Sequence, residues 1–153
     1  MINPNDSIKV KNVLSRKYVF HYEEMDQHIE DFLNDVFKQT QNIKGPLFYT
    51  LNNVPKDEIT HVEFFMPVED DSVPLLDDMH FQSYYNIENM VSICVQNNFE
   101  TNTEIAYGML FQYMEENYLK QVTPIFHVLS GDETLQYMFI KIGVVQDLEE
   151  AWK

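Results

Sequence analysis

Glu63 is the residue whose type and setting point most directly to chemistry. It sits in an extended stretch, 60–68, where Val62, Phe64, Met66 and Val68 face one way and Glu63 and Phe65 the other. A carboxylate partly withdrawn from water beside aromatic faces receives cations, by charge and by cation–π attraction. The plainer alternative is a solvated residue on the wet face of an antiparallel sheet. Tyr137 and Phe139 alternate in a strand at 135–145, and Tyr49 and His127 stand in strands at 47–51 and 123–129. With Phe65 they are candidate walls of one ligand groove around Glu63. Their plainer role is cross-strand aromatic packing.

Other chemistries find little support. The histidines are His21, His28, His61, His80 and His127, and no two stand as a helical His-x-x-x-His pair. No metal site and no cofactor are expected. Cys94 is the single cysteine, so no intrachain disulfide can form, and Ile93 and Val95 beside it predict a buried thiol in a strand. The glycines Gly45, Gly108, Gly131 and Gly143 make no phosphate-binding loop and no Gly-x-Ser-x-Gly elbow. Glu69-Asp70-Asp71 with Asp77-Asp78 lacks the spacing and central glycine of a calcium loop, and reads as a solvated linker. The chain therefore reads as a binding domain rather than an enzyme.

The elements that would position these residues follow from periodicity. A strand is predicted at 13–22. A helix follows with Asp26 as N-cap, and Ile29, Phe32, Leu33, Val36 and Phe37 form one apolar face that ends at Gly45-Pro46. Strands at 47–51 and 60–68 flank a turn at Asn52-Asn53. After the acidic linker at 69–78, residues 79–85 are extended and 90–99 form a strand. Thr101 to Glu104 is a capping box, opening a helix to about 119 with Ala106, Met109, Leu110 and Tyr113 inward. Strands at 123–129 and 135–145 flank a hairpin at Ser130-Gly131-Asp132, and a short helix closes the chain. The order β-α-β-β thus occurs twice, at 13–68 and 79–145. Pro46-Leu47-Phe48-Tyr49-Thr50-Leu51 aligns with Pro124-Ile125-Phe126-His127-Val128-Leu129 without a gap. The prediction is a single α+β domain, 1–153. Duplicated units form one antiparallel sheet, with two helices on one face and an open groove on the other.

The net charge of −15 disfavours nucleic acid and anionic membranes and favours a cationic ligand or a basic protein surface. No signal-peptide pattern and no membrane-length apolar run is present, which predicts a cytoplasmic location.

The duplicated order resembles the GyrI-like family, the effector-binding (SOUL-related) domains of bacterial multidrug-responsive regulators. Gly45-Pro46-Leu47-Phe48-Tyr49 is similar to that family's Gly-Pro-aliphatic-aromatic strand, and Glu63-Phe64-Phe65-Met66-Pro67 to its Glu-aliphatic-aromatic-aliphatic-Pro strand. The resemblance spans roughly 13–145. It implies an aromatic-lined pocket on the open sheet face for flat, cationic or amphipathic compounds, in a stand-alone member without a DNA-binding domain. In the second repeat Tyr137 stands where the family's acidic residue is expected, and Lys141 where its proline is. The function so implied is a small-molecule (effector) binding domain. The alternative is a protein-binding adaptor or immunity-type protein without a small ligand.

Overall fold

The computed structural model describes residues 1–51, 58–131 and 136–151. The elements are β1 (Ile2–His21), a single 3-10 turn (Tyr22–Glu24), α1 (Met25–Gln39), β2 (Phe48–Leu51), β3 (Ile59–Pro67), β4 (His80–Val95), α2 (Phe99–Glu116), β5 (Leu119–Gly131), β6 (Gln136–Gln146) and a short α3 (Leu148–Ala151). The class is α+β, with antiparallel strands and two principal helices, as the sequence predicts. Two compact units each carry one β-α-β-β copy. The N-terminal unit is Ile8–Asn86. The C-terminal unit combines Met1–Ser7 with Ile87–Lys153.

In the N-terminal unit β3 lies between β1 and β2. Its helix-bearing face carries Tyr18, Phe20, Val62, Phe64 and, from β2, Tyr49 and Leu51, as the registers Tyr18↔Val62 and Tyr49↔Phe64 require. Phe32 of α1 meets Phe64 at 5.6 Å and Tyr18 at 6.4 Å between ring centroids. His28 stacks on Phe20 at 4.2 Å. Phe32 and Val36, four residues apart, form the buried stripe of α1. Phe37 lies one residue further round and is 46% exposed, so its expected place in the core is not the observed one. Asp26 falls within the first turn, where its charge favours the helix N-terminus, and Glu24 takes the cap position. The helix ends at Gln39, well before Gly45-Pro46, because Thr40 is extended.

The acidic stretch after β3 is exposed, as expected, and is also fastened to the elements beside it. Thr40 Oγ1 donates to Asp70 Oδ1 at 3.0 Å, Leu76 N donates to Gln39 Oε1 at 2.8 Å, and Arg16 Nη2 donates to the Asp77 carbonyl at 2.9 Å. Arg16 Nη1 also pairs with Asp35 Oδ2 at 2.6 Å, joining β1 to α1.

In the C-terminal unit β6 lies between β4 and β5. Met138, Ile140 and Ile142 are buried, while the alternating Tyr137, Phe139 and Lys141 are half-buried. From α2, Ala106, Tyr107, Leu110 and Met114 are buried. Met109, expected in the core, is 42% exposed. The helix starts at Phe99 after Asn98, whose left-handed backbone (φ 47°) turns the chain. Thr101 and Glu104 therefore lie inside the first turns and do not form the expected cap. Gly143 has a steric reason: a Cβ there would run into the Thr123 side chain, whose Oγ1 accepts from Gly143 N at 2.8 Å. Strands β1 and β4 are longer than predicted, and β4 joins two expected segments into one. The Asn52-Asn53 turn and Asp132 of the expected hairpin lie outside the described residues.

Two measurements check this packing. Phe32→Ala should cost about 3–5 kcal/mol in denaturant unfolding, whereas Phe37→Ala should stay within about 0.5 kcal/mol of wild type. The hydrogen bond from Arg16, against opposing burial and helped by Lys38, holds the Asp35 carboxyl below its ordinary value. A carboxyl depressed in this way adds stability that is present above its unfolded value and lost as pH falls through the folded one. Below about pH 4 the melting temperature of wild type should fall more steeply than that of Asp35→Asn.

Candidate functional site

Strand registers decide which predicted residues share a face. Phe48 pairs with Phe65 and Thr50 with Glu63, while Lys17 lies across from Glu63 and Ser15 from Phe65. Glu63 and Phe65 are thus together, as expected, on the face away from α1. Phe48 and Phe65 stack at 4.6 Å and 6°, and Tyr85 of β4 closes on them at 5.9 and 4.9 Å. Such aromatic pairs contribute about 0.5–1.5 kcal/mol each beyond the area they bury. Phe48 and Phe65 are buried, and Glu63 and Tyr85 are half-buried. The Tyr85 hydroxyl is pushed up to about 12, by burial first and by the Glu63 charge second. The Glu63 charge therefore reaches the Tyr85 hydroxyl of that cluster.

Tyr49 stands elsewhere. It is opposite Phe64 on the helix-bearing face, 5.9 Å from that ring in edge contact. Burial, with the Asp26 charge added, raises its hydroxyl. His127 likewise lies on the helix-bearing face of its own unit, opposite Ile140, and its Nε2 is 2.5 Å from the Tyr107 hydroxyl. Tyr49 is therefore not a wall beside Glu63, and His127 is committed to the helix of its own unit: a side-chain period of two puts neighbours on opposite faces. Phe48, beside Phe65 on the Glu63 face, is not among the residues to which the sequence pattern points, because the β2–β3 register that puts it there is encoded in neither strand alone. Tyr85 lies in a stretch whose sequence predicts an extended backbone and nothing more.

Tyr137 and Phe139 share the other face of the C-terminal unit and meet edge-on at 5.6 Å. Cys94 is opposite Phe139 and is half-buried, less enclosed than expected, with burial raising its thiol. Lys141 and Ser92 are cross-strand partners on this face. Lys141 Nζ lies 3.3 Å from Asp6 Oδ1, donates to the Ser7 carbonyl at 2.9 Å and sits 5.8 Å from the Phe139 centroid. Burial pushes the Asp6 carboxyl up, but hydrogen bonds from Ser92 and Ser7 and the Lys141 charge outweigh it and leave the carboxyl below its ordinary value. The registers also shift the second-repeat position that the family pattern indicates. Val128 faces Phe139 as Thr50 faces Glu63, so Phe139 rather than Tyr137 is the counterpart of Glu63.

Among the described residues no three His, Cys, Asp or Glu side chains are placed to hold a metal ion. No described helix is long and apolar enough to cross a membrane.

The fold is shared with solved structures. The crystal structure of the C-terminal domain of EcmrR matches at a TM-score of 0.72 and 17% identity, over 94% of this chain and 99% of that domain. EcmrR in a cryo-EM structure of its DNA complex matches at 0.75 and 16% identity, over 95% of this chain and 58% of that longer one. The chain belongs to the family described as a domain of unknown function, DUF5085, whose model matches residues 9–146. The GyrI-like resemblance read from the sequence thus holds for the fold, while the family is DUF5085. No curated protein matches the sequence.

Proposed function

We propose that this chain is a small-molecule binding domain whose ligand is a flat or amphipathic cation received at Glu63. The observation that carries this is the half-buried Glu63 carboxylate set on the same face as the Phe48–Phe65–Tyr85 aromatic cluster. Aromatic faces and a carboxylate attract a delocalised cation together, the rings by quadrupole and area and the carboxylate by charge. The net charge of −15 adds a long-range field of the same sign. Lys17, across from Glu63 on the same face, tempers that field and favours ligands whose charge is spread over a ring system. The fold shared with the C-terminal domain of a DNA-bound protein, EcmrR, is compatible with an effector role. The −15 charge makes DNA itself a poor ligand for this chain.

Protein binding is the second reading. It draws on Ile105 and Met109, exposed one turn apart on α2.

Fluorescence titration with a panel of flat cationic dyes tests the first reading. Wild type should bind, and Glu63→Gln should bind about tenfold more weakly, equivalent to about 1.4 kcal/mol. Tyr49→Phe should bind as wild type does. Equal affinity in wild type and Glu63→Gln removes Glu63 from the site. No dye binding in wild type moves the assignment to protein binding.

A further inference from the structure

In the C-terminal unit the Lys141 ammonium is gathered into a cluster of side-chain and backbone groups. Three kinds of group converge on the Lys141 ammonium: the Asp6 carboxylate at 3.3 Å, the Ser7 carbonyl at 2.9 Å and the face of Phe139 at 5.8 Å to the centroid. A carboxylate, a carbonyl and a ring face are together complementary to a primary ammonium, which offers three N–H donors and a positive charge. The site is secluded, with the Lys141 and Asp6 side chains 15% and 21% exposed. It is also held in place by groups other than its cation. Ser92, 2% exposed, donates from Oγ to Asp6 Oδ2 at 2.6 Å, and Ser7 N donates to Asp6 Oδ1 at 2.7 Å. Both carboxylate oxygens are thus oriented by neutral donors, as a preorganised site requires.

We propose that this cluster is an organic-ammonium site occupied by the chain's own Lys141, and that Lys141 excludes external cations from this face. A tethered ammonium competes at a high effective concentration, so a free cation must displace it as well as bind. Asp6 precedes residues 9–146, the span matched by the family model, so the receptor carboxylate comes from outside that match. The assignment does not depend on any ligand at Glu63, which stands in the other unit.

Removing the tether tests it. In the full chain, Lys141→Ala leaves Asp6, the Ser7 carbonyl, Ser92 and Phe139 in place. Added n-butylammonium should then raise the melting temperature of Lys141→Ala saturably, as linkage demands of a ligand bound to the folded state, and should leave wild type unmoved. Tetramethylammonium, which has no N–H to give the Ser7 carbonyl, should produce a smaller shift. Asp6→Asn in the Lys141→Ala background should abolish the response, and Glu63→Gln in that background should preserve it. If Lys141→Ala does not fold in buffer alone, recovery of its circular dichroism signal by n-butylammonium is the same result. No saturable response in Lys141→Ala, an equal response in wild type, or equal responses to the two ammonium ions would overturn the proposal.

Discussion

The two-residue period of the pleated strand, with one face committed to a helix, governs everything else in this chain. In the N-terminal unit Phe32 and Val36 claim the face that carries Phe64, Tyr18 and Tyr49. That commitment sends Glu63, Phe65 and Phe48 to the opposite face together. In the C-terminal unit α2 buries Tyr107 against His127, and Ile140 follows His127. Tyr137, Phe139 and Lys141 are then left on the other side. A slip of one residue in either register would exchange the two sets entirely. The position of each candidate functional group is therefore a consequence of where the apolar stripe of a helix falls.

The duplication supplies one scaffold with two different charge solutions. The N-terminal unit places a carboxylate, Glu63, on the same face as the Phe48 and Phe65 rings. The C-terminal unit places Phe139 at the equivalent position and Lys141 two residues on, with Asp6 answering the lysine. A buried or half-buried charge without a partner is costly, so Lys141 and Asp6 are best understood as one feature. Glu63 has Lys17 across the strand pair and Tyr85 under the influence of its field. The units therefore diverge in which groups remain available to a cation.

Much of the fold was legible in the sequence because period-two and period-3.6 patterns are local. The stretch 60–68 shows its two faces without any knowledge of neighbours, and Phe32 with Val36 shows the inward side of α1. The repeat was visible in the Pro46 and Pro124 segments. The less local features were harder. Whether Phe48 or Tyr49 faces Glu63 depends on the β2–β3 register, which no single strand encodes. Phe37 and Met109 look like core residues by periodicity, yet each stands just beyond the arc that its helix buries. The acidic stretch is exposed, as its charge predicts, but the sequence does not show that Arg16, Gln39 and Thr40 hold it. Asp6 carried no signal at all, since its partners Ser92 and Lys141 are 86 and 135 residues away.

The central claim is that the Glu63 face receives the ligand while the helix-bearing face remains core. Carbon-13 NMR of aromatic side chains, recorded while a flat cationic dye is titrated into the full chain, tests it most directly. The account predicts ring-current shifts that saturate together at Phe48, Phe65 and Tyr85, with Tyr49, Phe64 and His127 unmoved. Saturating shifts at Tyr49 and Phe64 with Phe48 and Phe65 unmoved would contradict it.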